Sequence, residues 1–118
     1  MEYTHIADAR REYSALLERS LLSLVETLKQ RPDVLRISVF GSYARGRADL
    51  FTDLDVLVIM ETTAPFIERQ RELYERLASP VDLDLLCYTP QEFEAMRHRP
   101  FLRHALTGEK VLYEKKPA

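Results

Sequence analysis

The run from Leu54 to Met60 (LDVLVIM) restricts the fold more than any other segment of the chain. Asp55 is its only polar residue, and β-branched side chains are frequent in the remainder. A short apolar run of this kind, bounded by polar residues, is typical of a strand in the centre of a sheet. We therefore expect a sheet built around this strand.

Three other segments are also predicted to form strands. Residues 34–40 (VLRISVF) are rich in β-branched and aromatic side chains, and Gly41 ends the run. Residues 81–88 (VDLDLLCY) alternate between apolar and acidic side chains in their first half. Residues 111–114 are expected to add a short edge strand.

Helical patterns lie between and around these strands. Residues 7–30 carry an amphipathic stripe at spacings of three and four, formed by Tyr13, Leu17, Leu21, Leu24 and Leu28. A second helix is expected from a Thr63 cap to Ala78. Thr89-Pro90-Gln91-Glu92 predicts a capping box for a third, ending near His98. Residues 100–106 predict a fourth, with Gly108 as its C-terminal cap.

The resulting order of helices and strands predicts an α/β fold with a mixed sheet of three to four strands and flanking helices. The chain of 118 residues is expected to form a single domain. A formal charge of −2 argues against broad nucleic-acid binding. One cysteine, Cys87, excludes a disulfide framework within the chain, and it is expected in the core.

No segment is apolar for long enough to predict a membrane helix, since the longest apolar run, from Val56 to Met60, is far below the roughly 18 residues required. The polar N-terminus does not resemble a signal peptide. A cytoplasmic location is therefore expected.

Four aspartates lie at the entrances of two predicted strands. Asp53 and Asp55 would point to one face of an extended chain with Cα atoms about 6.6 Å apart, close enough to share divalent cations. Mg²⁺ prefers such hard oxygen ligands. Asp82 and Asp84 offer a third carboxylate from a neighbouring strand, and Asp84 is expected in the drier surroundings. Turn formation alone would explain Asp53, but aspartate is disfavoured inside strands.

A glycine-containing turn precedes the acid pair by about ten residues. Gly41-Ser42 follows a strand and opens a short helix, where backbone N–H groups and a hydroxyl can bind phosphate. Arg45 and Arg47 add positive charge. The segment lacks the P-loop lysine and the Rossmann glycine spacing. Anion-binding and cation-binding groups at this separation predict a metal–triphosphate site.

The motif G-S-Y-A-R-G followed by T-D-L-D-V-L-V resembles the signature of the polymerase-β-like nucleotidyltransferase superfamily. The V-D-L-D-L-L segment running into T-P-Q-E-F, and the ending G-E-K-V-L-Y-E, resemble its minimal nucleotidyltransferase branch. The resemblance extends from Val34 to Glu114. Thr52 stands where serine is more usual, which retains the hydroxyl.

The resemblance implies roles for seven residues: Gly41, Ser42, Arg45 and Gly46 at the nucleotide, and Asp53, Asp55 and Asp84 at the metal. It also implies two Mg²⁺ ions, ATP as substrate and transfer of AMP to a hydroxyl. Members of this branch commonly act as antitoxins of a helical HEPN-type toxin, which they bind and in some cases adenylylate. The alternatives are a non-catalytic ATP–Mg²⁺-binding antitoxin and a small-molecule nucleotidyltransferase. Self-association is left open.

Overall fold

The computed structural model describes residues 2–117, with side chains from residue 5 onward. Its five helices and four strands alternate through most of the described chain. In chain order they are α1 (Glu2–Lys29), β1 (Val34–Phe40), α2 (Gly41–Ala44), β2 (Leu54–Met60), α3 (Phe66–Arg76), β3 (Leu83–Tyr88), α4 (Pro90–Met96), α5 (Pro100–Ala105) and β4 (Lys110–Glu114).

The four strands form one mixed sheet in the order β3-β2-β1-β4. β1 is antiparallel to both of its neighbours, whereas β2 and β3 are parallel. The apolar β2 lies inside the sheet, as its composition predicts, and every residue from Val56 to Met60 is buried. The predicted α/β class with a mixed sheet is confirmed.

Helices cover both faces of the sheet. On one face, the leucine stripe of α1, Leu73 of α3 and Leu77 just after α3 pack on alternate strand residues such as Ile37 and Val56. Leu17 and Leu28 are 0% and 1% exposed, so the stripe is core, and Cys87 belongs to the same cluster. On the other face, Phe93 of α4 and Leu102 of α5 cover Leu57 and its neighbours. The sheet therefore separates two apolar clusters.

Most element boundaries follow the sequence pattern, with three corrections. α1 already begins at Glu2, not at residue 7. The third strand begins at Leu83, so Asp82 lies before it and not within it. Thr63 does not cap α3: the N-cap residue is Pro65, which makes no side-chain cap hydrogen bond. Thr62 Oγ1 instead accepts a hydrogen bond from Ala64 N, which forms a turn before the helix.

The capping box of α4 is confirmed. Thr89 Oγ1 accepts a hydrogen bond from Glu92 N, and Glu92 Oε1 accepts one from Thr89 N. Arg69 of α3, only 5% exposed, pairs with the same Glu92 carboxylate. This pair ties the start of α4 to α3. Gly108 is not the predicted C-terminal cap of α5: the cap residue is Leu106, and Gly108, with a φ of +82°, lies two residues beyond it in the turn before β4.

Side chains of α3 bind the outer edge of β3. Gln70 Nε2 donates to Leu85 O at 2.5 Å, and Gln70 Oε1 accepts from Cys87 N at 2.7 Å. Tyr74 Oη accepts from Leu85 N at 2.7 Å. These bonds satisfy backbone groups that have no neighbouring strand on that side and fix β3 against α3.

Within residues 2–117, none of the helices combines the length and the apolar character that a membrane-spanning segment needs.

Candidate active site

Strand direction brings three segments to one edge of the sheet. β1 ends at Phe40 and leads directly into α2. Because β1 and β2 are antiparallel, Phe40 lies opposite Asp55 near the start of β2. β3 is parallel to β2 and begins at the same edge. The glycine turn and the predicted acids therefore lie together.

Asp55 and Asp84 occupy paired positions in the β2–β3 ladder. Paired residues in a parallel ladder point to the same face, here the one that carries Leu57 and Leu86 farther along the strands. Asp53 lies two residues before Asp55 and, like it, is half-buried. The structure thus brings the predicted acid pair and the predicted third carboxylate to one side of the sheet edge.

The two neighbouring carboxylates perturb Asp55. Burial, followed by the negative charges of Asp84 and Asp53 and a hydrogen bond with Asp84, raises the pKa of Asp55 to about 6. Such crowding favours a bound proton or cation over three free charges. Carboxylate oxygens suit Mg²⁺, so the donor set fits this ion. Among the described residues, no three His, Cys, Asp or Glu side chains converge closely enough to enclose an ion by themselves.

Asp82 differs from Asp84 in position. Its backbone oxygen accepts a hydrogen bond from Leu54 N at 3.0 Å, which continues the ladder before β3 begins. The side chains of both residues are exposed, so the expectation that Asp84 lies in drier surroundings is wrong. What distinguishes Asp84 is its register opposite Asp55 and not its burial.

Gly41 allows close approach between α2 and Asp55. Its φ is +72°, a conformation that side chains disfavour, and a Cβ built there would overlap Asp55 Oδ2. The Asp55 carboxylate therefore lies directly against the backbone of the glycine turn. Any larger residue would displace either the turn or the carboxylate.

Ser42 and Gly46 line a cavity of about 530 Å³ beside this turn. Arg10 and Arg47 line the same cavity and supply positive charge. Arg45 lies elsewhere: a Cβ at Gly108 would be 3.6 Å from Arg45 Cγ, so its side chain lies beside that turn. The cavity has the hydroxyl and guanidinium groups that bind phosphate oxygens.

The loop between α2 and β2 is closed by its own hydrogen bonds. Thr52 N donates to Asp49 O, and Asp49 N donates to Thr52 Oγ1 at 3.0 Å. Thr52 Oγ1 also donates to Arg47 O at 3.1 Å. The two bonds made by the Thr52 hydroxyl fix the path of the backbone into Asp53.

Sequence reasoning missed two residues of α1 that reach this loop. Arg10 Nε lies 3.0 Å from Asp49 Oδ1, and Tyr13 Oη donates to Thr52 O at 3.2 Å. Tyr13 had been assigned to the apolar stripe, and its ring does pack against that core cluster. One feature of the sequence could have indicated this contact: Tyr13 carries a hydroxyl in a stripe whose other members are leucines.

A family model described as polymerase beta, nucleotidyltransferase matches residues 23–118. A protein of Methanocaldococcus jannaschii, assigned as a protein adenylyltransferase, is 27% identical over 108 residues, which are 85% of this chain and 74% of that one. The protein adenylyltransferase MntA of Thermococcus cleftensis is 39% identical over 70 residues, which are 57% of this chain and 71% of that one.

A crystal structure of a toxin–antitoxin with AMP-PNP contains a chain similar to this one. The TM-score is 0.55 at 27% identity, and the match covers 84% of this chain and 74% of that chain. These similarities agree with the resemblance drawn from the G-S and D-x-D motifs.

Proposed function

The chain belongs to the polymerase beta nucleotidyltransferase family, and we propose that it transfers AMP from ATP to a hydroxyl group of a partner protein. The observation that supports this most is the juxtaposition of Asp55, its ladder partner Asp84, and the Gly41 backbone. This arrangement combines acidic metal ligands with a turn that phosphate can approach. Three crowded carboxylates repel one another, so they contribute no stability to a sheet edge that binds no cation.

Asp53, Asp55 and Asp84 are the residues that would hold Mg²⁺, with two ions implied by the family resemblance. Bound Mg²⁺ would neutralise the triphosphate and stabilise charge on the attacking and leaving oxygens. Its binding would also offset the burial and the repulsion that together raise the pKa of Asp55. Ser42 and Gly46 would bind phosphate oxygens in the adjoining cavity. The family resemblance gives Arg45 a role at the nucleotide as well, from a side chain that lies beside Gly108 in this structure.

In the proposed step, the acceptor oxygen forms a bond to the α-phosphorus of ATP. The bond from that phosphorus to the oxygen bridging to the β-phosphate breaks, and pyrophosphate leaves. Asp84, the exposed member of the acid group, would accept the proton of the attacking hydroxyl. Positioning of the two oxygens in line provides much of the rate enhancement.

The relatives favour a protein as the acceptor. Two of them are named as protein adenylyltransferases, and a similar chain occurs in a toxin–antitoxin structure with an ATP analogue. We propose that this chain likewise acts as an antitoxin in the cytoplasm. Its partner would be a helical toxin of the HEPN type, which it binds and adenylylates.

The test is to incubate the chain with Mg²⁺, α-labelled ATP and, in separate reactions, a candidate helical HEPN-type partner or an aminoglycoside. Label on the partner, absent with the Asp53→Asn/Asp55→Asn variant, is the expected result. Label on an aminoglycoside instead of the partner would support the small-molecule alternative. Inhibition of the toxin without label, retained by the double variant, would support the non-catalytic alternative.

A further inference from the structure

Helix α1 holds the loop before the acid pair at two points. Arg10 pairs with Asp49 at 3.0 Å, and Tyr13 donates a hydrogen bond to Thr52 O at 3.2 Å. Residues three apart in a helix lie on the same face, so one turn of α1 reaches both ends of the 49–52 turn. These contacts span 39 residues of sequence and are tertiary, not local, interactions.

The tip of the loop is weakly held by packing. Phe51 at the tip is 89% exposed and adopts a φ of +64°, an unfavourable conformation for a bulky residue. The loop is held by the bonds that Thr52 makes to Asp49 and Arg47, by the packing of Ala48 on the core cluster and by its two contacts with α1. The contacts with α1 are the ones that join it to a helix distant in sequence.

The carbonyl that Tyr13 binds belongs to the peptide unit between Thr52 and Asp53. A shift of this unit would move the backbone of Asp53 directly. Burial, followed by the negative charges of Asp82 and Asp53, raises the pKa of the Tyr13 hydroxyl. α1 thus touches the metal-binding segment through a group that can orient it without binding the metal.

We propose that Arg10 and Tyr13 are positioning residues, which fix the 49–52 turn and thereby direct Asp53 toward the metal. This inference rests on the proposed function, because it assumes that Asp53 binds a divalent cation. Both residues lie outside the segment that matches the family model, which begins at residue 23. The proposed contacts therefore add the first part of α1, which precedes the matched segment, to the functional site.

The test compares the Mn²⁺ affinity of folded variants by electron paramagnetic resonance. Tyr13→Phe removes only the hydroxyl and retains the ring that packs on the core. Its matched control is Tyr113→Phe, on the edge strand β4 and partly packed on the same cluster. Groups that orient metal ligands typically change affinity by 10-fold or more, so we expect about 10-fold weaker Mn²⁺ binding for Tyr13→Phe and no change for Tyr113→Phe.

Arg10 has its own matched control in the next residue. Arg11 pairs with Asp8 of the same helix and not with the loop. Arg10→Gln should weaken Mn²⁺ binding, Arg11→Gln should not, and Arg10→Lys should restore much of the affinity because a cation again faces Asp49. Thermal unfolding of every variant provides the second readout.

The possible results separate the two proposals. Weaker Mn²⁺ binding by Tyr13→Phe and Arg10→Gln, with melting temperatures close to those of their controls, supports positioning. A lower melting temperature with unchanged affinity of the folded protein would make the contacts merely structural and overturn the inference alone. Failure of the wild-type chain to bind Mn²⁺ or ATP would overturn the proposed function and the inference with it.

Discussion

Asp55 and Asp84 face each other across two parallel strands, and this register makes their charges interdependent. The relationship arises because β2 and β3 start at the same edge and align Leu54 with Leu83. It is the reason for proposing Asp84, and not its neighbour Asp82, as the third ligand.

Asp84→Asn should therefore lower AMP transfer far more than Asp82→Asn. Loss of a charge that stabilises the transition state by about 3–4 kcal/mol lowers the rate about 10²–10³-fold. Asp82 contributes its backbone oxygen to the ladder, and asparagine retains that bond. Transfer rates and melting curves of the two variants, measured side by side, test this. Inactivity of Asp82→Asn alone would mean that Asp82 is the third ligand.

Asp55→Asn should stabilise the metal-free protein at neutral pH. The pKa of Asp55 is about 6 in the folded protein and exceeds the ordinary aspartate value of 3.8, so the folded state binds the proton more tightly than the unfolded state. The contribution of the Asp55 carboxyl to the free energy of unfolding is fully present at low pH and is lost as the pH rises through about 6. The side chain is partly exposed, so solvent screening reduces the effect. We expect Asp55→Asn to raise the free energy of unfolding by about 1–2 kcal/mol at neutral pH and by almost nothing near pH 4.

Urea unfolding at the two pH values measures this difference. Asp33 is a control of opposite sign, because hydrogen bonds from Arg31 lower the pKa of its carboxyl. Asp33→Asn should reduce stability at neutral pH. A loss of stability in Asp55→Asn at neutral pH would contradict the repulsion described at the site.

Gly41→Ala should abolish transfer, whereas Gly46→Ala should lower it far less, because the backbone N–H that Gly46 would offer to phosphate is retained. Both glycines have positive φ, so each alanine costs about 1–2 kcal/mol of backbone free energy. At Gly41 the new Cβ would also overlap Asp55 Oδ2, while at Gly46 nothing lies within 4 Å of it. Transfer assays below the melting temperature of both variants distinguish them. Equal activity would show that the close approach of Gly41 and Asp55 is unimportant.

ATP binding should require a divalent cation. Without one, the triphosphate would face Asp53 and Asp55 directly, and the repulsion is strong at a partly buried site. Calorimetric titration with ATP should give measurable affinity in Mg²⁺ and none in EDTA. Equal affinity under both conditions would remove the basis for a metal–triphosphate site.

Local patterns predicted the strands best. β1 and β2 have the predicted bounds because their β-branched runs end at clear polar or glycine boundaries. The capping box of α4 was equally recognisable, since its bonds join residues three apart. At Thr63, propensity suggested a cap, but the chain forms a turn through Thr62 and starts α3 after Pro65.

The parts of the site that could not be predicted depend on tertiary placement. The register that aligns Asp55 with Asp84 follows from strand order, which no short segment encodes. The contact of Tyr13 with Thr52 depends on where α1 crosses the sheet edge. The sequence therefore predicted a group of acids near one another, while the structure distinguishes Asp84 from Asp82 by its register opposite Asp55.

The side-chain bonds of Gln70 have a consequence for how copies of this chain behave at high concentration. An unpaired strand edge is a template on which another chain can add a strand and begin to aggregate. At β3 that template is already occupied, because Gln70 binds Leu85 O and Cys87 N as a neighbouring strand would. The residues that fix the strand carrying Asp84 also protect the protein against aggregation through this edge.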